Sequence, residues 1–406
     1  MNVLFLSEQI YPHGSGAELA TYLYARLLSE NGINVKVITN LFPGEKEITR
    51  IGRMEILRLN LFDRPSALKY SMSSKLPILL SSFIRKLIEW SDVVYIPLYW
   101  YSAIPIAKAY KKPVLVHLHN YIISCPLGTL YNLTGNSICK ERKRFLCPMN
   151  CIFAFEKFGG RKYQEIFLST LLNSVGRNYM AWLASMSDAL ICVSQAQKRL
   201  IMQTCARTFW RKLHVAYNPL PKVSYIEIKG NDFGYFGGNN ISKGLLVLYQ
   251  AMKILNGLRR KDVIVHATKL ESFSRDECIL SNVGFVLYGK LDELDFENLY
   301  KRIRAVVVPS IWQEPLPYVV TEALLRGRIV VASNIGGIPE ITKGCGGVEL
   351  FQAGNHKQLA EKMLYIRDLS RDDIVDLGIR NRQNVLNKFS NDRIAHDFIK
   401  IIDRIP

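Results

Sequence analysis

Short apolar runs rich in β-branched residues alternate with longer amphipathic segments along the whole chain. The clearest runs are Val3–Leu6, Asn34–Thr39, Asp92–Ile96, Pro113–His117, Asp188–Ser194, Val263–Ala267, Val283–Tyr288, Ala305–Val308 and Arg328–Ala332. Unbroken apolar runs of this length are typical of strands buried on both faces of a parallel sheet. The alternation therefore predicts an α/β protein, and 406 residues suffice for two doubly wound, Rossmann-like domains facing a cleft.

The clearest strand–helix–strand unit lies between positions 305 and 332. Pro315 and Pro317 end the loop that follows the strand Ala305–Val308, and they precede a helix predicted over Tyr318–Leu325. Proline is tolerated in the first turn of a helix, and ligands of such sheets bind at the carboxyl ends of the strands. The loop and the helix start are therefore the predicted ligand site.

Two carboxylates belong to this predicted site. Glu314 lies in the loop and Glu322 lies about one turn inside the helix, so both can face the crevice. The free N–H groups and positive dipole of a helix start favour an anion. An anion beside carboxylates that accept hydroxyl groups suits a nucleotide diphosphate sugar. The alternative is that Glu322 stabilises the helix start and Glu314 is a surface charge, because helix starts favour acids in any case.

The surrounding motif carries a family resemblance. Residues 309–324 read P-S-I-W-Q-E-P-L-P-Y-V-V-T-E-A-L, and residues 333–340 read S-N-I-G-G-I-P-E. This pattern resembles the donor-site signature of the retaining glycosyltransferases of family 4, which have the GT-B architecture. The resemblance implies that Glu322 binds the ribose hydroxyls of the donor nucleotide and that Glu314 contacts the transferred sugar. It also places three loop residues at the donor: Pro315, Leu316 and Pro317.

Two further glycine loops match the same family. Gly237 belongs to the loop after the first strand of the second domain, and Lys243 lies at the following helix start, where it could neutralise a diphosphate. The family usually has an arginine where this chain has Gly238, so Lys243 acts alone or with another basic group such as Arg304 or Lys290.

Gly289 resembles the glycine whose loop abuts the donor base. For the glycine loop of the first domain, which contains Gly14 and Gly16, an ordinary turn is the alternative, because glycine is the default residue in turns.

The first domain contributes a glycine loop and a histidine. Gly14 and Gly16 suggest a dinucleotide fingerprint, but a third glycine is missing and the second strand ends in Thr39 and an asparagine rather than an acid. The loop instead resembles the family's glycine loop, with Gly16 near the donor and Gly14 on the acceptor side. His119 matches a position beside the transferred sugar, and Asn120 stands on the acceptor side where the family more often has Asp. The two histidines here, His117 and His119, could also be ordinary residues at a strand end.

The formal charge of +18 is concentrated in the first half of the chain. Residues 1–218 contain 27 Lys and Arg against 13 Asp and Glu, whereas the remainder contains 26 against 22. Such an excess attracts nucleic acid, anionic lipid or a phosphorylated acceptor, unless it is only a solvated surface. No nucleic-acid module is recognisable, so no nucleic-acid partner is expected.

Residues 67–76 and 79–88 combine apolar, small and basic residues, which is typical of amphipathic helices that lie on an anionic membrane or pack on a protein surface. No apolar run approaches the ~18 residues of a membrane span, and Met1–Leu6 is too short for a signal-peptide core. The expected location is therefore the cytoplasm, with possible peripheral contact with the membrane.

Four cysteines fall close together in the sequence, at Cys125, Cys139, Cys147 and Cys151. Four thiolates could hold a structural zinc ion, although their spacing is irregular. A disulfide or unlinked thiols are the alternatives.

These observations predict a first domain over residues 1–219, joined by a C-terminal helix over about 389–406, and a second domain over 230–388. By the resemblance, the second domain binds the nucleotide-sugar donor, of UDP or GDP type, and the first binds a glycan or lipid-linked acceptor. The expected activity is transfer of a hexose-type sugar with retention, in cell-surface glycan, polysaccharide or glycoprotein assembly. No cofactor is expected to be required for catalysis. A glycan phosphorylase of the same architecture and an inactive sugar- or nucleic-acid-binding relative are the alternatives.

Overall fold

The computed structural model of the protein describes residues 1–61, 81–132, 137–139, 147, 151–153, 178–259, 262–268 and 283–405. The chain divides into two compact units. The first comprises Met1–Leu220 together with Phe389–Pro406, and the second comprises Pro221–Lys388.

The first unit is built on an eight-stranded sheet with the order β10-β9-β6-β5-β1-β2-β4-β3. Its strands are β1 (Asn2–Leu6), β2 (Asn34–Asn40), β3 (Ile48–Ile51), β4 (Met54–Leu59), β5 (Val93–Ile96), β6 (Val114–Leu118), β9 (Ala189–Cys192) and β10 (Leu213–Val215). A short ribbon of β7 (Tyr131–Asn132) and β8 (Ser137–Ile138) is separate from this sheet. All pairs in the large sheet are parallel except the β3–β4 hairpin. The central strands are buried on both faces, as their apolar runs predict.

Among the described residues, the helices of this unit include α1 (Gly16–Glu30), α2 (Ser82–Trp90), α3 (Ala103–Ala109) and α4 (Gln195–Thr204). Helix α4 begins after Ser194, whose side chain accepts a hydrogen bond from the Gln197 backbone N–H. Ser194, which lies just after strand β9, is therefore the N-terminal cap of α4.

Helix α2 lies in one of the two predicted amphipathic segments, and its apolar face packs on the protein. It lies within the predicted amphipathic segment 79–88, but Ile84, Leu87 and Ile88 of its apolar face are buried within the first unit. Apolar side chains that are already buried in a protein core are not available to a lipid surface. The other predicted segment, 67–76, lies outside the described residues. Among the helices that the structure describes, none is long and apolar enough to cross a membrane.

The second unit is built on a six-stranded, fully parallel sheet with the order β13-β12-β11-β14-β15-β16. Its strands are β11 (Asp232–Tyr235), β12 (Val265–Ala267), β13 (Phe285–Leu287), β14 (Ile303–Val308), β15 (Ile329–Ser333) and β16 (Glu349–Phe351). Its helices are α5 (Leu245–Gly257), α6 (Glu293–Arg302), α7 (Tyr318–Leu325), α8 (Ile338–Thr342), α9 (His356–Asp368) and α10 (Arg371–Lys388). Strand order reverses between β11 and β14, so the loops after these two strands lie at the switch point of a doubly wound sheet.

The last helix, α11 (Asn391–Ile402), belongs to the first unit and packs against α1. Phe398 of α11 lies 4.5 Å from the ring of Tyr24 on α1. Both rings are buried, so the C-terminal helix completes the core of the first unit.

The prediction of two doubly wound α/β domains is confirmed by these two open parallel sheets. The antiparallel β3–β4 hairpin at the edge of the first sheet was not predicted. Three of the four residues in its outer strand β3 are exposed, so this strand lacks the apolar run that marks the central strands.

Candidate functional site

The carboxyl edge of the second sheet carries a buried acid paired with a lysine. Glu314 follows β14 in the loop that leads to α7, and its side chain is only 3% exposed. Lys243 Nζ and Ser310 Oγ each lie 2.7 Å from the same carboxylate oxygen, Oε1. Two charge-assisted hydrogen bonds compensate the burial of this acid. The other oxygen, Oε2, accepts no hydrogen bond from the residues that the structure describes.

The loop of Lys243 is held against the loop of Glu314 by a close backbone approach. Gly244 has φ of +79°, and a Cβ atom there would lie 1.8 Å from the carbonyl oxygen of Pro309. The Ile311 backbone N–H donates to the Ser242 carbonyl at 2.9 Å. Only glycine permits this approach, so the two loops are fixed together at the switch point of the sheet.

Gly237 lies beside Lys243, in agreement with the prediction that Gly237 belongs to the loop after the first strand of the second domain and Lys243 to the helix start that follows it. A Cβ atom on Gly237 would lie 2.5 Å from Tyr235 Oη and 2.9 Å from Lys243 Cβ. The Tyr235 hydroxyl donates to the Gly238 carbonyl at 3.0 Å, and burial, followed by the nearby charge of Glu314, raises the pKa of Tyr235. The Tyr235 side chain therefore supports the backbone of the glycine loop at Gly237 and Gly238, a role that was not predicted from the sequence.

The second half of the signature supports the Glu314 loop from the other side. Gly336 has φ of +56°, and a Cβ atom there would lie 2.0 Å from the Glu314 carbonyl oxygen. The Gly337 N–H donates to that same oxygen at 2.8 Å, and the Gly336 N–H donates to Gln313 Oε1 at 3.1 Å. The loop residues Pro315, Leu316 and Pro317 are buried against this turn. The paired glycines thus fix the position of the Glu314 backbone.

Glu322 lies on α7 and pairs with a residue that the sequence did not point to. Its Oε2 atom is 3.1 Å from Arg326 Nη1, and its side chain is 23% exposed. No hydrogen bond joins Glu322 to Glu314 or Lys243 among the described residues, so the structure brings Glu314, Lys243 and Gly237 together but leaves Glu322 as a separate group on the helix.

Three other residues predicted to assist donor binding, Gly289, Lys290 and Arg304, make no hydrogen bond or ion pair with the Glu314–Lys243 pair among the described residues. Gly289 is exposed just beyond the end of β13, with no atom within 4 Å of an added Cβ, and Lys290 is also exposed. The suggestion that Arg304 assists Lys243 is wrong. Its guanidinium donates to the carbonyls of Arg367 and Leu369, and the side chain is buried near the amino end of β14, opposite the site.

In the first unit, His119 follows the carboxyl end of β6. Burial lowers its pKa to about 3, and its Nε2 atom is shielded from solvent without a hydrogen-bond partner among the described residues. Its ring stacks on His117 at 4.5 Å, and His117 Nδ1 lies 2.7 Å from the Tyr95 hydroxyl. Burial also lowers the pKa of His117, so both rings are neutral at pH 7.

Gln197 on α4 holds the backbone on both sides of His119. Its amide nitrogen donates to the carbonyls of Leu118 at 2.8 Å and of Asn120 at 3.2 Å. Its amide oxygen accepts from the Val193 N–H at 2.7 Å. The Gln197 side chain is fully buried and uses both ends of its amide, so it positions the histidine loop. In the sequence, Gln197 is only a polar residue on a helix, which does not indicate this role.

The glycine loop at the start of α1 is filled by its own acid. Gly14 has φ of +87°, and Gly16 is the first residue of α1. Glu18 Oε2 accepts hydrogen bonds from the Ser15 N–H at 2.6 Å and the Ser15 hydroxyl at 2.9 Å. This carboxylate occupies the N-terminal end of the helix, where a ligand anion would otherwise bind.

The predicted zinc site is wrong for the described structure. Cys125, Cys139, Cys147 and Cys151 are all described, but no three His, Cys, Asp or Glu side chains of the described residues are placed to hold a metal ion. The Cys151 thiol instead lies 3.9 Å from the Tyr131 carbonyl oxygen, beside the short β7–β8 ribbon.

Comparison with known proteins agrees with this architecture. The family profile described as Glycosyltransferase Family 4 matches residues 14–221, and the profile described as Glycosyl transferases group 1 matches residues 230–368. A 42.6 kDa protein of the cps region of Klebsiella pneumoniae is 22% identical over 99% of each chain.

Two solved structures show the same fold. Sucrose-phosphate synthase from Thermosynechococcus elongatus superposes with a TM-score of 0.69 at 13% identity, covering 99% of this chain and 98% of that chain. HepE from Anabaena, solved in complex with UDP-glucose, superposes with a TM-score of 0.65 at 16% identity over 99% of each chain. The two sheets, the signature loop and these matches agree: the chain belongs to glycosyltransferase family 4 and is a transferase of the GT-B fold.

Proposed function

We propose that the protein moves a hexose-type sugar from a nucleotide diphosphate sugar to a hydroxyl group of a glycan or lipid-linked acceptor, with retention of the anomeric configuration. The observation that carries this proposal is the pairing of buried Glu314 with Lys243 at the switch point of the second sheet. A buried acid with one unused oxygen, next to a cation on a glycine loop, can bind a sugar hydroxyl and a diphosphate side by side.

Each group of the second unit then has a role. Lys243 neutralises the diphosphate, assisted by the positive end of helix α7. Glu314 accepts a hydroxyl of the transferred sugar through Oε2, the oxygen that Lys243 and Ser310 leave unused. Glu322 accepts the ribose hydroxyls, and the exposed backbone at Gly289 lies against the base. In the first unit, neutral His119 is proposed to lie beside the transferred sugar, with Gly16 near the donor and with Gly14 and Asn120 on the acceptor side.

The transfer step follows from these roles. The bond between the anomeric carbon and the diphosphate oxygen breaks, and the nucleoside diphosphate departs with the bonding electrons. The acceptor hydroxyl oxygen forms the new bond on the same face of the sugar, and its proton passes to the departing phosphate oxygen. Lys243 stabilises the charge that develops on the diphosphate, an effect that grows where water is excluded.

The comparisons support a donor and a pathway class. HepE was solved with UDP-glucose, which supports a UDP sugar as the first donor to test, with a GDP sugar as the second. The Klebsiella relative is a protein of the cps region, which supports a role in surface polysaccharide assembly. The positive charge of the first half of the chain favours a phosphate-bearing acceptor and peripheral contact with an anionic membrane on the cytoplasmic side.

A thermal-shift screen tests the donor site directly. UDP, GDP, ADP, CDP and TDP are each added to the full chain and to its Glu322→Ala variant. We expect one of the five to stabilise the wild type most, by about 2.7 kcal/mol at one hundred times its dissociation constant, and to lose most of that effect in the variant. Stabilisation by none of them, or equal stabilisation of both proteins, contradicts the proposal. Release of sugar phosphate from a glycan and inorganic phosphate would indicate a phosphorylase instead.

A further inference from the structure

Arg326 is held in place by aromatic rings of a neighbouring helix. Its guanidinium carbon lies 4.9 Å from the ring centre of Tyr300 and 5.6 Å from that of Phe296, both on α6. The Arg326 side chain is only 12% exposed. A guanidinium that stacks on aromatic faces and is shielded from water loses most of its freedom to reorient.

This arginine carries the one ion pair that the structure gives Glu322 among the described residues. Nη1 of Arg326 donates to Oε2 of Glu322 at 3.1 Å, one helical turn away. On an open helix surface, a pair at this spacing contributes little, because both side chains are free to move. Here the aromatic rings already hold the Arg326 guanidinium, so the ion pair restricts the motion of the Glu322 carboxylate.

The same aromatic cluster reaches the glycine loop. Phe236, the residue before Gly237, stacks on Tyr300 with ring centres 5.1 Å apart and an interplanar angle of 17°. Phe236 also lies 5.2 Å from Phe296. A side chain at Gly234 would meet the Phe236 ring at 2.9 Å, so β11 leaves space for this ring to fold back over it. One set of rings therefore contacts both the loop of Lys243 and the partner of Glu322.

We infer that Arg326, fixed by the rings of Phe296 and Tyr300, is a positioning residue that holds Glu322 in the orientation that receives the ribose hydroxyls of the donor. This inference rests on the proposed donor role of Glu322. The remaining oxygen, Oε1, accepts no hydrogen bond from the described residues, and so it stays open to a hydroxyl of the ligand. Loss of Arg326 leaves Glu322 charged and present but free to rotate toward solvent. Its contribution to hydroxyl binding then falls, while contacts to the phosphates persist.

The test measures ribose discrimination rather than affinity alone. Dissociation constants of UDP and GDP, and of their 2′,3′-dideoxy forms, are measured for the full chain by titration calorimetry. The variants are Arg326→Gln, Arg326→Lys, Glu322→Ala and the double variant, with the exposed Arg302→Gln on α6 as the matched control. The ratio of the dideoxy to the ribose dissociation constant isolates the hydroxyl contacts.

We expect Arg326→Gln to reduce this ratio at least about threefold, with the affinity for the dideoxy form unchanged, since a partly buried ion pair is worth about that factor or more. Arg326→Lys should recover part of the ratio, Arg302→Gln should match the wild type, and Arg326→Gln should add nothing in the Glu322→Ala background. If Arg326→Gln does not fold, Phe296→Leu removes one stacking ring and should reduce the ratio in the same direction.

Two other outcomes distinguish failure of the positioning role from failure of the donor site. A wild-type ratio that Glu322→Ala lowers and Arg326→Gln leaves intact, or an equal loss of affinity for both forms in Arg326→Gln, overturns the positioning role alone. Absence of binding by the wild type, or a ratio that is indifferent to Glu322→Ala, overturns the donor site itself and this inference with it.

Discussion

The ammonium group of Lys243 lies 2.7 Å from Oε1 of Glu314, although 71 positions separate the two residues in the chain. The acid is buried, whereas the lysine side chain is 32% exposed and faces the ring of Trp312 at 5.1 Å. A lysine held in this way must share or leave the pair before it can bind a diphosphate. Donor binding and the internal ion pair therefore compete for one cation.

Replacement of Glu314 by glutamine should separate these two effects. Glutamine keeps the shape of the side chain and a weaker contact with Ser310, but it releases the positive charge of Lys243. We expect the affinity for a nucleoside diphosphate without sugar to rise by up to about fivefold, the factor that a partly exposed ion pair represents. Sugar transfer should fall by at least about tenfold, because a contact to the reacting sugar is lost. Calorimetry and a product assay measure the two quantities.

The control for this variant is Ser310→Ala, which removes a hydrogen bond to the same oxygen without changing any charge. It should lower stability by about 1 kcal/mol and leave the affinity for the nucleoside diphosphate close to the wild-type value. A decrease in that affinity for Glu314→Gln would show that the pair supports, rather than opposes, phosphate binding.

Gly336 offers a test of how the Glu314 loop is held. In Gly336→Ala, the new Cβ atom collides with the Glu314 carbonyl oxygen, and φ of +56° is unfavourable for alanine. We expect the free energy of unfolding of the second unit to fall by at least about 2 kcal/mol and the nucleoside diphosphate affinity to fall with it. Urea unfolding followed by circular dichroism measures the first effect.

Gly257→Ala is the matched control, since Gly257 is the last residue of α5 and no atom lies within 4 Å of an added Cβ. Alanine there should leave stability unchanged or raise it by up to about 1 kcal/mol. Equal stability of the two alanine variants would mean that the paired glycines do not constrain the Glu314 loop.

Local signals in the sequence predicted the secondary structure around the site well. Helix α7 begins at Tyr318 and ends at Leu325, as predicted, because Pro317 lies before its first turn and Gly327, with φ of +77°, follows its end. The apolar runs likewise predicted the buried strands to within a few residues, since burial on both faces requires continuous apolar sequence.

Contacts between distant parts of the chain could not be predicted in the same way. The signature motif pointed to Glu314, but the pairing with Lys243 depends on the approach of two loops that only the fold brings together. Arg304 was predicted to assist Lys243 because it is a basic residue close to the motif in sequence. Its guanidinium instead binds backbone carbonyls near the amino end of β14, away from the site. Residue type and proximity in sequence do not give the direction of a side chain across a sheet.

The lowered pKa of His119 gives the first unit a predictable dependence on pH. Its pKa is about 3 in the folded protein against an ordinary value of 6.5, so between these values the unfolded chain binds a proton that the folded chain does not. The free energy of unfolding therefore decreases as pH falls below 6.5, by about 2 kcal/mol from this ring at pH 5.

Urea unfolding of the wild type and of His119→Asn at pH 7.5 and pH 5 measures the effect. The variant should lose less stability than the wild type on acidification, while buried His117 retains its own share. An equal loss in both proteins would contradict the lowered pKa of His119.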